Sequence, residues 1–201
     1  MKNYFFCSLI LLVTVNFSVS LSAQQQKDKH EALNAYFETI VKDTTQTIYV
    51  AKEKINSNET LTIFESNVKM INDPENNYKT YTKLFNWKDF EKMKKKYKNT
   101  CTPSERVWWC SNAFWETNDF KYKKVLLESM NTVKNQEYLT YKYHGRVYAF
   151  SEPIYYQNKK YLVFTAEALF MSGARITIVI MEKVKSKWTV MSEWSNPYLY
   201  N

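Results

Sequence analysis

The stretch "YLVFTAEALFMSGARITIVIMEKVKSKWTVMSEW", Tyr161 to Trp194, decides the fold class. Apolar residues recur at every second position in three runs, Tyr161–Phe170, Ala174–Val184 and Lys187–Trp194. That period belongs to strands, whose side chains alternate between two faces. One face reads Leu162, Phe164, Ala166, Ala168 and Phe170, then Ile176, Ile178 and Ile180, then Trp188, Val190 and Trp194. For the even-numbered residues on both sides of the turn to share a face, the connecting loop must be odd in length. Met171-Ser172-Gly173, with Gly173 in the left-handed conformation, meets that condition. The opposite face then carries Thr165, Glu167, Leu169, Arg175 and Thr177, with Leu169 facing Arg175 and Glu167 diagonal to Arg175. Upstream, "GRVYAFSEPIYYQNKKY" adds a strand in which Pro153 sets a bulge or an edge. The last third is therefore an antiparallel meander.

Moving towards the N-terminus, the periodicity changes. Leu33, Tyr36, Phe37, Ile40 and Val41 form one stripe of an amphipathic helix from His30 to Val41, with Asp28 as its cap. "TIYVAKEKI" (Thr47–Ile55) and "TLTIFES" (Thr60–Ser66) have strand composition with "NSNE" as a turn between them, although Leu61–Ile71 also fits a helix. "NDPENN" is a loop by composition. Asn86 caps a further helix, "WKDFEKMKKKYK", with Trp87, Phe90, Met93 and Tyr97 directed inward. The expected fold is α+β: N-terminal and central amphipathic helices packed on a C-terminal antiparallel meander.

The opening "MKNYFFCSLILLVTVNFSVSLSAQQQ" has a basic start at Lys2, an apolar centre and a small-residue exit, the layout of a secretory signal peptide cleaved near Ala23. Thr14, Asn16, Ser18 and Ser20 interrupt a run that would need about 20 apolar residues to span a bilayer. Residues 1–23 are read as the signal and residues 24–201 as a single domain without a transmembrane span, exported to the periplasm or beyond. The formal charge of +8 permits contact with anionic surfaces without demanding it.

"YAFSEPIYY", "KKYLVF" and "KSKWTV" together resemble the C-terminal pattern of uncharacterised secreted proteins from Bacteroidetes-type bacteria, over roughly the last 55 residues. The resemblance implies secretion and no particular activity. An early helix ahead of a meander that ends in a Lys-Trp strand is also similar to cone-shaped, nuclear-transport-factor-like domains. That likeness implies a pocket between sheet and helices, used for binding or for catalysis.

Several chemistries are excluded by the two glycines, Gly145 and Gly173. Phosphate-binding loops and dinucleotide fingerprints need closely spaced glycines, and so do glycine-flanked serine nucleophiles. "HEALN" begins like a zinc-binding helix, but Asn34 stands where the second histidine would be, so no metal site is assigned and His30 is an ordinary helix residue. No catalytic residue and no cofactor are assigned. His144 is either a general base at a strand end or a turn residue. Glu167 and Arg175 either line a pocket, with Arg175 holding an acidic ligand, or form a cross-strand ion pair. Lys88, Lys92, Lys95 and Lys96 make a basic helix face, read as solvated rather than as a specific nucleic-acid surface.

"CTPSERVWWC", Cys101 to Cys110, holds the two cysteines that survive export. A continuous helix through it would set their Cα atoms about 12 Å apart, whereas a disulfide needs less than roughly 7 Å. An oxidising compartment favours the Cys101–Cys110 bridge and a single helical turn after "TPSE". The loop then presents Trp108 and Trp109, with Trp115 nearby, as an aromatic platform for a glycan or a small apolar ligand, or else packs at least one of them inward. The sequence thus reads as an exported ligand- or partner-binding domain. A pocket enzyme and an envelope component binding anionic polymers are the alternatives.

Overall fold

The computed structural model describes residues 23–43, 45–73, 75, 83–100, 108–133, 146–170 and 173–195. Residues 1–22, Cys101 and His144 lie outside the described residues. The elements are α1 (residues 23–40), β1 (Ile48–Ala51), β2 (Glu53–Ile55), α2 (Ser57–Asn72), α3 (Trp87–Tyr97), β3 (Trp109–Phe114), β4 (Val125–Glu128), α4 (Met130–Val133), β5 (Val147–Phe150), β6 (Ile154–Tyr156), β7 (Tyr161–Phe170), β8 (Gly173–Val184) and β9 (Lys187–Ser195).

The main sheet runs β4-β1-β5-β7-β8-β9. Its β5-β7-β8-β9 part is antiparallel, as the period-two pattern predicts. β5 and β6 both pair with β7, on its Leu169 and Val163 ends respectively, and the break between them contains Pro153. Proline cannot donate to a ladder, and the ladder is interrupted where it sits. The sheet as a whole is mixed, because β1 lies parallel to both β4 and β5.

The expected β-hairpin around "NSNE" does not form. Its first half is β1 and β2, but β2 pairs with the distant β3. Its second half is α2, in which Thr60, Leu61, Phe64, Asn67, Val68 and Ile71 are buried at helical spacing. The Asn56 side chain accepts from the Asn58 amide at 3.0 Å and starts that helix. Burial of a helical stripe against the sheet outweighs the local strand propensity of "TLTIF". At α3 the Asn86 cap forms as expected, and Phe90, Met93 and Tyr97 are buried, but Trp87 is 40% exposed. α1 begins before Asp28, so that residue is no cap and instead pairs with Lys183 at 2.8 Å.

The register of the meander differs by one residue from the sequence expectation. Phe170 pairs with Gly173 and Ala168 with Arg175, so two residues rather than three join β7 to β8. Glu167 faces Ile176 and stands on the opposite face from Arg175; the diagonal pair is not made. A further shift between Ile180 and Met181 puts Trp188 and Val190 on one face of β9 and Trp194 on the other. The cause is burial on both faces: residues 161–167 and 176–181 are all buried, so alternation does not say which face is which.

α1 covers one face, where Tyr36 meets Phe164 at a 5.4 Å ring separation and Phe37 meets Phe150 at 6.0 Å. α2 and the loop before α3 cover the other, with Phe64 against Tyr156 at 5.0 Å and Phe85 against Trp194 at 5.2 Å. Within the second layer, Thr60 Oγ1 donates to Ser151 Oγ at 2.9 Å and shares a 2.8 Å bond with Thr165 Oγ1. All three are fully buried, so α2 is pinned at the β5–β6 break by hydroxyls that have no access to water.

Candidate functional site

On the α1 face, β7 presents the row Phe164, Ala166, Ala168, Phe170. Two small residues between two large ones leave a hollow in the floor. The cross-strand neighbours of Ala166 are Phe150 and Thr177, and those of Ala168 are Tyr148 and Arg175. Tyr36, Thr39 and Ile40 of α1 form the wall above. The result is an open cleft of about 340 Å³, continuous through Ile40, Arg146, Tyr148 and Phe170 with a second hollow of about 330 Å³ reaching Thr47 and Tyr49.

Three cations, Lys42, Arg146 and Arg175, and one carboxylate, Glu193, border this cleft and are exposed. The Arg146 guanidinium lies over Phe170, 5.0 Å from the ring centre, and donates from Nη1 to Tyr148 Oη at 3.1 Å. It is thereby held against an aromatic wall. Among the described residues Arg175 and Lys42 make no ion pair or side-chain hydrogen bond. Burial and the nearby Glu193 push the Tyr36 phenol up, with Arg175 opposing, so at neutral pH it is a hydrogen-bond donor inside the cleft.

Glu167 borders the cleft, but its carboxylate is turned to the other face, where Trp108 Nε1 donates to Oε2 at 2.9 Å. The residue is 5% exposed, and burial pushes its carboxyl up to about 7, against the lowering effect of the Trp108 bond. Glu167 and Arg175 are thus separated by the sheet rather than brought together. His144 lies outside the described residues.

Trp108 and Trp109 are both half-buried. Their rings meet edge-on at 6.4 Å and 76°, so they do not offer two coplanar faces. Trp108 is packed inward by Glu167, and Trp109 packs on the small core of Ala51, Ile55, Met130, Val133, Val147 and Ala149. Trp115 is 1% exposed and spends its Nε1 on the Phe150 carbonyl at 3.1 Å. It is a core residue and no part of a surface platform. Cys110 is buried beside this region, while Cys101 lies outside the described residues.

His30 accordingly behaves as a helix residue, bonded to Gln26 at 2.7 Å and near Asp119 at 3.5 Å. On α3, Lys92 is paired with Asp89 and Lys94 with Glu65, both at 3.1 Å, which reduces the basic character of that helix. Among the described residues no cluster of three metal-ligating side chains occurs, and no helix is long and apolar enough to cross a membrane.

Arg146, Tyr148 and Lys42 were not singled out in the sequence, and Tyr36 was read only as part of the helix stripe. The signal that points to them is the Ala166/Ala168 gap in a row otherwise made of phenylalanines. No family model, curated protein or solved structure matches the chain.

Proposed function

We propose that the protein is an exported, non-catalytic binding domain that takes a small amphipathic anion in the cleft between α1 and the sheet. The observation that carries this reading is the alanine floor between aromatic walls, rimmed by Arg146, Arg175 and Lys42 against the Glu193 carboxylate. A hollow of this size suits a small ligand, with the apolar part on Ala166, Ala168 and Phe170 and the charged end on the guanidiniums. The position between helix and sheet is also where the cone-shaped domains named above bind, an agreement of element order only.

The export reading rests on the signal-like first 23 residues. The Cys101–Cys110 staple belongs with it and is supported by the burial of Cys110. Oxidation would then fix the Trp108 segment against the Glu167 side of the sheet.

Calorimetric titration with octanoate, octanol and octylammonium tests the ligand class. Saturable binding of octanoate, with Arg175→Met weakening it about tenfold through loss of a charge-assisted contact, is the expected result. Equal binding of octylammonium, or no binding of octanoate, would contradict it.

A further inference from the structure

Away from the cleft, α1, β2 and the β5–β6 break bring two lysines onto one carboxylate. Lys29 Nζ contacts Glu152 Oε1, and Lys54 Nζ lies 3.2 Å from Oε2. These lysines are withdrawn from water: their side chains are 15% and 12% exposed, against 67% for Lys27 and 57% for Lys92. Lys54 is further enclosed by the Trp115 ring, 4.3 Å from its ammonium. Two ammoniums on one carboxylate leave one positive charge uncompensated among the described residues, and a desolvated charge without a partner is costly.

An ammonium has three donors, and each lysine uses one on Glu152. The indole beside Lys54 offers a π face and no acceptor atom. The remaining donors adjoin a hollow of about 280 Å³ that Ser57 and Thr100 also line. Their hydroxyls are 2.9 Å apart and both donate to the Tyr97 carbonyl, at 3.3 and 3.0 Å, so the lysines carry the donors left for a ligand. Ser57 is the first residue of the 16-residue helix α2, so the start of that helix borders the same space. Two compact ammoniums beside a helix start favour a small anion, which they hold as point charges rather than as a planar fork. We infer that the hollow beside Lys29, Lys54 and Glu152 is a second binding site, for a small oxyanion of the phosphate or carboxylate type. None of these three residues borders the α1–β8 cleft, so this site is independent of the proposed function.

The test is a ¹⁵N NMR titration with inorganic phosphate, and with acetate as the carboxylate form of the same chemistry, at ionic strength held constant with chloride. Saturable shifts of the Ser57 and Thr100 amides by either oxyanion are expected, lost in Lys54→Met and retained in Arg175→Met. Glu152→Gln gives a second, opposite-signed reading. Removal of the competing carboxylate should tighten oxyanion binding about tenfold, and phosphate should raise the melting temperature of Glu152→Gln more than that of the wild type. A purely structural ion pair would give no such gain. Shifts that chloride reproduces, that do not saturate, or that Glu152→Gln leaves unchanged would overturn the site, even if Lys54→Met failed to fold.

Discussion

Trp108 Nε1 donates to Glu167 Oε2 at 2.9 Å across the back of the sheet. The bond ties the start of β3 to the middle of β7 and turns the only charged side chain of that strand away from the cleft under α1. It also makes the indole a reporter of the carboxyl beside it.

The first prediction follows from that contact. Burial raises the folded-state carboxyl to about 7 from an ordinary 4.5. Between those values the folded protein holds a proton that the unfolded chain releases. This contribution is therefore complete below about pH 4.5 and is lost as pH rises through about 7. Stability should fall across that window by on the order of 3 kcal/mol, and Glu167→Gln should remove that part of the slope. Denaturation midpoints at half-unit pH steps measure it; a wild-type slope equal to that of Glu167→Gln would refute it.

Trp108→Phe should move the same titration upward, because the indole bond favours the ionised carboxylate. In the wild type, tryptophan fluorescence should change with a midpoint near 7, and that change should vanish in Glu167→Gln. A midpoint near 4.5 would mean that the carboxyl is solvated.

At Gly173 the backbone φ is +144°, and an added Cβ would meet nothing within 4 Å. The cost of Gly173→Ala is then conformational alone, about 1–2 kcal/mol. Gly173→Asn should be no better, since this φ lies beyond the left-handed helical region that asparagine tolerates. Rescue by asparagine, read from urea midpoints, would restore the three-residue loop with Gly173 at a left-handed position.

Thr60→Val should destabilise by about 1–3 kcal/mol, because the buried Ser151 and Thr165 hydroxyls lose their common partner while the volume is nearly unchanged. Chemical denaturation would show it as a shift in midpoint without a change in slope. A neutral result would mean that the network is not needed to hold α2 on the sheet.

The strands of the meander, the Pro153 interruption and the Asn86 cap were legible because each rests on a local rule: period two, a missing amide donor, a side chain reaching one turn forward. The register was not, since Val163, Phe164, Thr165 and Ala166 are buried on alternate faces alike and no polar face marks the outside. That one-residue ambiguity alone misplaced Glu167 relative to Arg175. α2 was obscured by the run "TLTI", three of whose four residues are β-branched, and whose preference is reversed by a partner surface the local sequence does not contain. β1 beside β4 and β5 is a pairing between segments about 77 and 98 residues apart, set by topology rather than by pattern. In the cleft, Arg175 was visible as a charge on a strand. Arg146 and Tyr148 became meaningful only once β5 was placed beside Ala168.

The central claim is that the Ala166/Ala168 hollow receives the apolar part of an anionic ligand. The most direct measurement is a ¹⁵N NMR titration with octanoate on the wild type and on Ala168→Phe, a half-buried position that can accept a larger side chain. The account predicts saturable shifts centred on Tyr148, Ala168 and Arg175, absent from a folded Ala168→Phe. Shifts that persist in that variant, or that centre on Trp108 and Trp109, would contradict it.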